Sequence, residues 1–258
     1  MQVHQIYTQS QLRNFTYVIE LDDQSALVID PWNDQIINSV LKEKGLSLKA
    51  IINTHEHFDH VQGNAALVDQ HGCEVWAHEN GKGKIPGLSR TLSKGEIIPL
   101  GNQTQLCVLD TPGHTLAHLC FLLQVNNNST AIFTGDTLFN AGVGHCHLGG
   151  DAEVLYQTIA EQFHTLDDHI TVYPGHEYLE NNLRFTLSLE PSNQDAKDWL
   201  EKAIAADPVA SPLTTTIGDE KKFNTFFRLD NTEIRSNTGG FDTDKEVFVA
   251  LRELRNKW

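Results

Sequence analysis

Several things are scarce in this chain, and each scarcity excludes something. There are four cysteines in 258 residues, at 73, 107, 120 and 146, too far apart for a C-x-x-C pair, so neither a disulfide scaffold nor a thiolate zinc cage is expected. No apolar run approaches the roughly 18 to 20 residues of a membrane helix. The first residues, MQVHQIYTQSQLRNF, lack a basic segment followed by an apolar one, so a cytoplasmic location is expected. Basic residues are few: 19 Lys and Arg stand against 34 Asp and Glu, a formal charge of −15. That field repels phosphate backbones, and no local basic patch offsets it, which sets nucleic-acid binding aside. Repeats and low-complexity tracts are absent too.

What is present is an ordinary globular composition, 40% hydrophobic and 21% charged, enough for a full core. NFTYVIEL and SALVIDP read as a β-hairpin across residues 22–24. A helix is expected from about Asp34 to Lys44, stopped by Gly45. LKAIINT and CEVWAH read as strands around a helix at VQGNAALVDQHG. EIIPL, QLCVLDT, HLCFLLQV, STAIFTGD and HITVYPG follow as strands, with a helix from about Asp151 to Phe163. After Gly175 only helical patterns remain, at ENNLRFTLSL, SNQDAKDWLEKAIAA and DKEVFVALRELRNKW. Mixed strands and helices followed by helices alone imply an α/β sandwich at residues 1–175 and a helical domain at 176–258.

The chemistry concentrates in NTHEHFDH, residues 53–60, on what reads as a loop between a strand and a helix. The zincin pattern needs a second histidine four positions after His55, and Asp59 stands there. On an extended segment His55 and His57 point to one side and converge on one point, with Asp59 and His60 turned toward a neighbouring one. Further donors sit at strand ends beside glycines: His114 in DTPGHT, Asp136 in FTGDT and His176 in YPGHEY. Imidazole and carboxylate suit Zn²⁺, Fe or Mn, and seven donors shared by two ions leave open positions, with Asp136 the first choice of bridge. Such a site is net positive and activates water, with Asp59 and Asp136 as its carboxylates. His4, His71, His78, His164 and His169 are read as ordinary core or surface histidines, and His118 as a residue that supports a ligand.

T-H-x-H-x-D-H at 54–60, with His114, Asp136 and His176, resembles the metallo-β-lactamase superfamily over roughly the first 175 residues. Within it, GDTLF at 135–139, GHEYLENNLRF at 175–185 and the helical tail resemble glyoxalase II. The resemblance implies a four-layer αβ/βα sandwich with two metals: His55, His57 and His114 on one, Asp59, His60 and His176 on the other, and Asp136 bridging. It implies hydrolysis of S-D-lactoylglutathione to glutathione and D-lactate, in methylglyoxal detoxification, by a hydroxide held between the metals. It also implies substrate contacts from Tyr178 and from Arg252 and Arg255, one helical turn apart. Where the family carries Lys or Arg and then an aromatic after GDTLF, this chain has His145, Cys146 and His147. His145 and His147 are expected to contact the substrate there; they can donate hydrogen bonds but are charged only when protonated. No evident partner completes a third metal site from them.

Three other readings use the same residues. A persulfide dioxygenase would bind a single Fe(II) and should lack the long tail. A lactonase of the same superfamily would share the metals without the arginine pair. A non-catalytic metal-binding module should have lost a ligand. The expected partner is a small glutathione thioester, not nucleic acid or membrane, on a monomer or dimer.

Overall fold

The computed structural model describes residues 2–258. The chain forms two compact units interleaved in sequence. The first comprises the chain up to Asp110, Ala117–Gly135 and Tyr173–Glu177; the second comprises Thr111–Leu116, Asp136–Val172 and Tyr178–Trp258.

In the first unit a sheet has the order β1 (Val3–Tyr7), β2 (Phe15–Glu20), β3 (Ser25–Ile29), β4 (Ser47–Ile52), β5 (Glu74–His78), β6 (Leu88–Leu92). The β2–β3 pair is the expected antiparallel hairpin, and β3 to β6 run parallel. The connections between β3 and β5 are helical: α1 (Asp34–Lys44), α2 (Phe58–Val61) and α3 (Asn64–His71). Asn33 caps α1 at one end and left-handed Gly45 closes the other. β7 (Ile97–Gly101), β8 (Thr104–Asp110), β9 (Leu119–Val125) and β10 (Asn128–Gly135) form an antiparallel meander.

Strand alternation explains how these layers pack. Leu27 and Ile29 of β3 and Ala50 and Ile52 of β4 face one core, shared with Leu106, Val108, Phe121, Leu123 and Phe133. Their sequence neighbours Ala26, Val28 and Ile51 face the other way, against Ile37 and Leu41 of α1 and Leu67 of α3. Both faces of β3 and β4 are thus buried, which is why they read as continuous apolar runs. Each large side chain in these cores contributes about 1.5–3 kcal/mol through burial.

The second unit holds the hairpin β11 (Leu138–Phe139) and β12 (Gly142–Val143), then α4 (Ala152–Thr158), which continues into a π-helical turn at Ile159–Phe163. β13 (Thr171–Pro174) follows, and its first residues pair with β14 (Thr215–Thr216). Its helices are α5 (Leu179–Leu189), α6 (Gln194–Ala205), α7 (Ile217–Phe223), α8 (Thr232–Thr238) and α9 (Asp244–Arg255). Leu179 and Leu183 of α5, Ala196 of α6 and Phe223 of α7 form its apolar cluster.

Two expectations change. The metal-grade run is only partly a loop: Asp59 and His60 lie on α2, which starts behind His57 with the His60 N–H donating to the His57 carbonyl at 3.0 Å. The stretch after Pro208, not assigned any element from sequence, contains α7 and α8. β1 and β6 were also unassigned; both mix polar and apolar residues and are edge strands.

Candidate metal centre and adjoining cavity

Strand β4 of the first unit runs directly into the NTHEHFDH segment, and its parallel neighbour β3 ends before Asp30. The site is built around Asp30, which follows β3 and is buried with its backbone in the left-handed region at φ +50°. Its Oδ1 accepts the Thr54 N–H at 2.8 Å, and its Oδ2 accepts the Thr54 hydroxyl at 2.6 Å. The same Oδ2 lies 2.9 Å from His60 Nδ1. A carboxylate only accepts, so His60 carries its proton on Nδ1 and a lone pair on Nε2. The Thr54 hydroxyl spends its proton on Asp30, so at 3.0 Å from His55 Nδ1 it acts as acceptor, and His55 too carries its lone pair on Nε2. His176 Nδ1 is 2.7 Å from the Leu12 carbonyl, which gives the same tautomer again.

Those lone pairs converge. His60 Nε2 and His176 Nε2 are 3.2 Å apart, and each lies 3.4 Å from Asp59 Oδ2. Two imidazole lone pairs and a carboxylate oxygen repel one another at this spacing unless a cation lies among them. The edge of a tetrahedron with bonds of 2.0–2.1 Å is about 3.4 Å, so the triangle has the dimensions of a tetrahedral metal face. His55 Nε2 also lies 3.0 Å from His57 Nδ1. This donor set fits a divalent metal. The carboxyl of Asp30 groups with His55 and His60 by distance as well, but it faces the protonated side of His60 and reaches His55 Nδ1 through the Thr54 hydroxyl, and so orients ligands.

The surroundings are built to hold this geometry. Asn14 donates to Asp59 Oδ2 at 2.8 Å, and Asn14 and His176 pair as an isolated antiparallel bridge. Arg13 forms an ion pair with Glu177. His118, fully buried, stacks on His55 with ring centres 5.0 Å apart. Gly135, at φ +45°, leaves no space for a side chain: a Cβ there would stand 2.5 Å from Thr54 Oγ1 and 2.8 Å from His118 Nε2.

In the second unit His114 and Asp136 meet, with Nε2 3.5 Å from Asp136 Oδ2. His114 Nδ1 is 2.6 Å from the His145 carbonyl, so the proton sits there and the lone pair on Nε2. A Cβ on Gly144 would lie 2.0 Å from the Asp136 carbonyl oxygen and 2.8 Å from His114 Nδ1, so no other residue fits.

A cavity of about 340 Å³ in this unit is lined by Phe139, His145, His147, Tyr178, Arg252 and Arg255, which gathers the five sequence-assigned substrate residues. His145 and His147 stack with centres 5.7 Å apart, and Tyr178 meets the Phe139 ring edge-on at 5.3 Å. The two arginines differ. Arg255 donates to Asn182 at 3.1 Å and is only half-buried. Arg252 is 5% exposed, and burial pushes its guanidinium down to about 10. Cys146 is pushed up to about 11, again by burial, so it remains a thiol at neutral pH.

Sequence reading missed Asp30 and Asn14. The acid closing SALVIDP before a proline was a usable signal for Asp30; Asn14 had none.

Known proteins resemble this chain over its whole length. The family described as metallo-beta-lactamase superfamily matches residues 11–176, and hydroxyacylglutathione hydrolase C-terminus matches residues 177–258. A hydroxyacylglutathione hydrolase from Polaromonas sp. (strain JS666) is 43% identical, with both chains covered in full. One from Nitrosococcus oceani is also 43% identical over the full length of both. Among solved structures, ETHE1 from Myxococcus xanthus superposes with a TM-score of 0.71 at 24% identity, covering 98% of this chain and 91% of that one, a likeness of fold. The chain therefore has the metallo-β-lactamase fold followed by a helical region, and it belongs to the hydroxyacylglutathione hydrolase family of the metallo-β-lactamase superfamily.

Proposed function

We propose that this chain is a binuclear metal-dependent thioester hydrolase that cleaves S-D-lactoylglutathione to glutathione and D-lactate. Its ligands are His55, His57, Asp59, His60, His114, Asp136 and His176, on two divalent ions, zinc first, with iron or manganese chemically equivalent for these donors. Residues 1–175 carry six of these ligands, and 176–258 supply the seventh, His176, together with Tyr178, Arg252 and Arg255 for the substrate. The observation that carries the reading is the tautomer pattern: each of His55, His60, His114 and His176 has its proton on Nδ1, and each Nε2 lone pair lies within 3.5 Å of another donor. The full-length likeness to hydroxyacylglutathione hydrolases supports it over a persulfide dioxygenase or a lactonase.

Ions held by these donors supply positive charge for the oxyanion of an attacked carbonyl and lower the pKa of water toward about 7. The chain's own residues do the rest. Asn14 and Asp30 keep Asp59, His60 and His55 in one orientation, so the donors need no reorganisation during reaction. Arg255 and Tyr178 in the cavity are suited to an anionic tripeptide, which a protein of net charge −15 can hold only through local cations. His145 and His147 add hydrogen-bond donors there. A thiol with a pKa near 8.5 departs as thiolate without a strong general acid, so no dedicated acid is needed. Among the described residues no disulfide links the four cysteines and no helix is long and apolar enough to cross a membrane, which fits action in the cytoplasm.

The test follows thiol release from S-D-lactoylglutathione beside an acyl coenzyme A and a homoserine lactone, with oxygen consumption monitored. Preference for the glutathione thioester with no oxygen uptake is expected. Equal rates on all three remove the substrate assignment, and oxygen uptake removes the reaction class.

A further inference from the structure

We propose that Arg252 and Glu220 are positioning residues for His114, holding at two points along its length the 140–145 segment whose final carbonyl fixes that ring. This inference rests on the assignment of His114 as a metal ligand.

The segment turns between β11 and β12 at Ala141, a non-glycine residue with φ +62°. Its backbone groups are served by side chains from the C-terminal helices. The Ala141 N–H donates to both carboxyl oxygens of Glu220 on α7, at 2.9 and 3.2 Å. Asn182 of α5 donates to the Asn140 carbonyl at 2.9 Å, and Asn224 to the Gly142 carbonyl at 3.3 Å. Arg252 of α9 donates from Nη1 to the Val143 carbonyl at 2.7 Å and to the Gly144 carbonyl at 3.2 Å. The next carbonyl, that of His145, accepts the His114 Nδ1 proton at 2.6 Å.

The choice of residues is what points beyond packing. Glu220 is fully buried, and its acceptor oxygens face neutral donors: the Ala141 amide, the Thr215 hydroxyl and the Asn224 amide. Arg252 is buried as well, and its acceptors are neutral: two carbonyls and the Asn256 side chain at 3.1 and 3.3 Å. Ionisable groups are the costliest to bury, and neutral amides could satisfy the same backbone atoms. An acid facing the turn's N–H and a guanidinium facing two successive carbonyls at its far end give this six-residue segment one stiff geometry. A shift at Gly144 has nowhere to go, since it already abuts the Asp136 carbonyl and His114. Arg252 therefore acts on the metal ligand through Val143 and Gly144 besides lining the substrate cavity, where the half-exposed Arg255 is the more accessible cation.

The test compares the full-length chain with Arg252→Lys, Arg252→Met, Glu220→Gln and Arg255→Met. Zinc affinity is read by competition with a chromophoric chelator, and the His114 ring Nδ1–H by heteronuclear NMR of the zinc form. Lysine keeps the charge and the buried stem but offers a point in place of a fork, so it guards against simple failure to fold. Weakening the support of a metal-binding histidine lowers affinity about 10–100-fold. That loss is expected for both Arg252 variants, to a lesser degree for Glu220→Gln, together with a displaced His114 resonance. Arg255→Met should keep the parent zinc affinity and raise KM. Folded Arg252 variants that bind zinc within twofold of the parent, with the resonance unmoved, overturn the inference while leaving His114 as a ligand. A His114→Ala chain that binds zinc as the parent does overturns the ligand assignment itself.

Discussion

Asp30→Asn isolates the electrostatics of the first metal-binding cluster with almost no change of shape. Asparagine tolerates the left-handed backbone that Asp30 adopts at φ +50°, so the turn after β3 should persist. The amide oxygen can still accept the Thr54 N–H. The amide nitrogen, however, replaces Oδ2, the atom that accepts from the Thr54 hydroxyl at 2.6 Å and faces His60 Nδ1 at 2.9 Å. It presents hydrogens where two acceptor contacts stood. His60 can then meet it only by moving its proton to Nε2, the nitrogen that points at Asp59 and His176. The Thr54 hydroxyl, no longer donating to Asp30, can reverse and cost His55 its preferred tautomer. Loss of one such orienting partner weakens metal binding about 10–100-fold. With two histidines affected the upper end is expected, about 100-fold or roughly 2.7 kcal/mol. Zinc competition at pH 7.5 measures this directly, with circular dichroism and a melting curve to verify the fold. A folded Asp30→Asn chain with zinc affinity within twofold of the parent would refute the tautomer argument.

Further outcomes follow from particular atoms. Gly144→Ala places a methyl 2.0 Å from the Asp136 carbonyl oxygen, so the purified protein should hold less metal per chain, measured by atomic emission, at a lower kcat. Burial pushes Glu220 up to about 8, which favours its neutral form in the fold. The stability it contributes is fully present below the ordinary carboxyl pKa and is lost as pH rises through about 8. Relative to the parent, Glu220→Gln should therefore gain stability in urea unfolding between about pH 5 and 8 and level off above; a pH-independent difference would count against it. Arg255→Ala removes a charge-assisted contact of about 1.5–3 kcal/mol and should raise KM for a glutathione thioester tenfold or more, with a smaller change in kcat.

The metal-grade residues were legible because ligand chemistry leaves few residue types to choose from and local spacing displays them. NTHEHFDH, and the single His or Asp at three later strand ends, stand out against any packing rationale. The buried strands of the first unit were legible for a related reason. Sheets covered on both faces need unbroken apolar runs, as in ALVI at 26–29 and AII at 50–52. Edge strands β1 and β6 carry no such demand, and their mixed composition hid them. Helix α7 had a signal, the capping box from Thr216 to Asp219, within a stretch whose Pro, Thr and Gly content argued for a loop.

By itself the sequence determined which atoms could bind metal, the strand ends that carry them, and the presence of a cationic pair on the last helix, because these depend on residue type and on spacing within one element. Only the tertiary structure decided that Asp30 and Asn14 orient the ligands, that His55, His60, His114 and His176 carry their protons on Nδ1, and that Arg252 faces backbone carbonyls while Arg255 remains half-exposed in the cavity. The physical reason is range. A histidine's tautomer and an arginine's role are set by whichever acceptor lies within about 3 Å, and for His60, His114, His176 and the carbonyl held by Arg252 those acceptors come from 30 to 164 residues away along the chain.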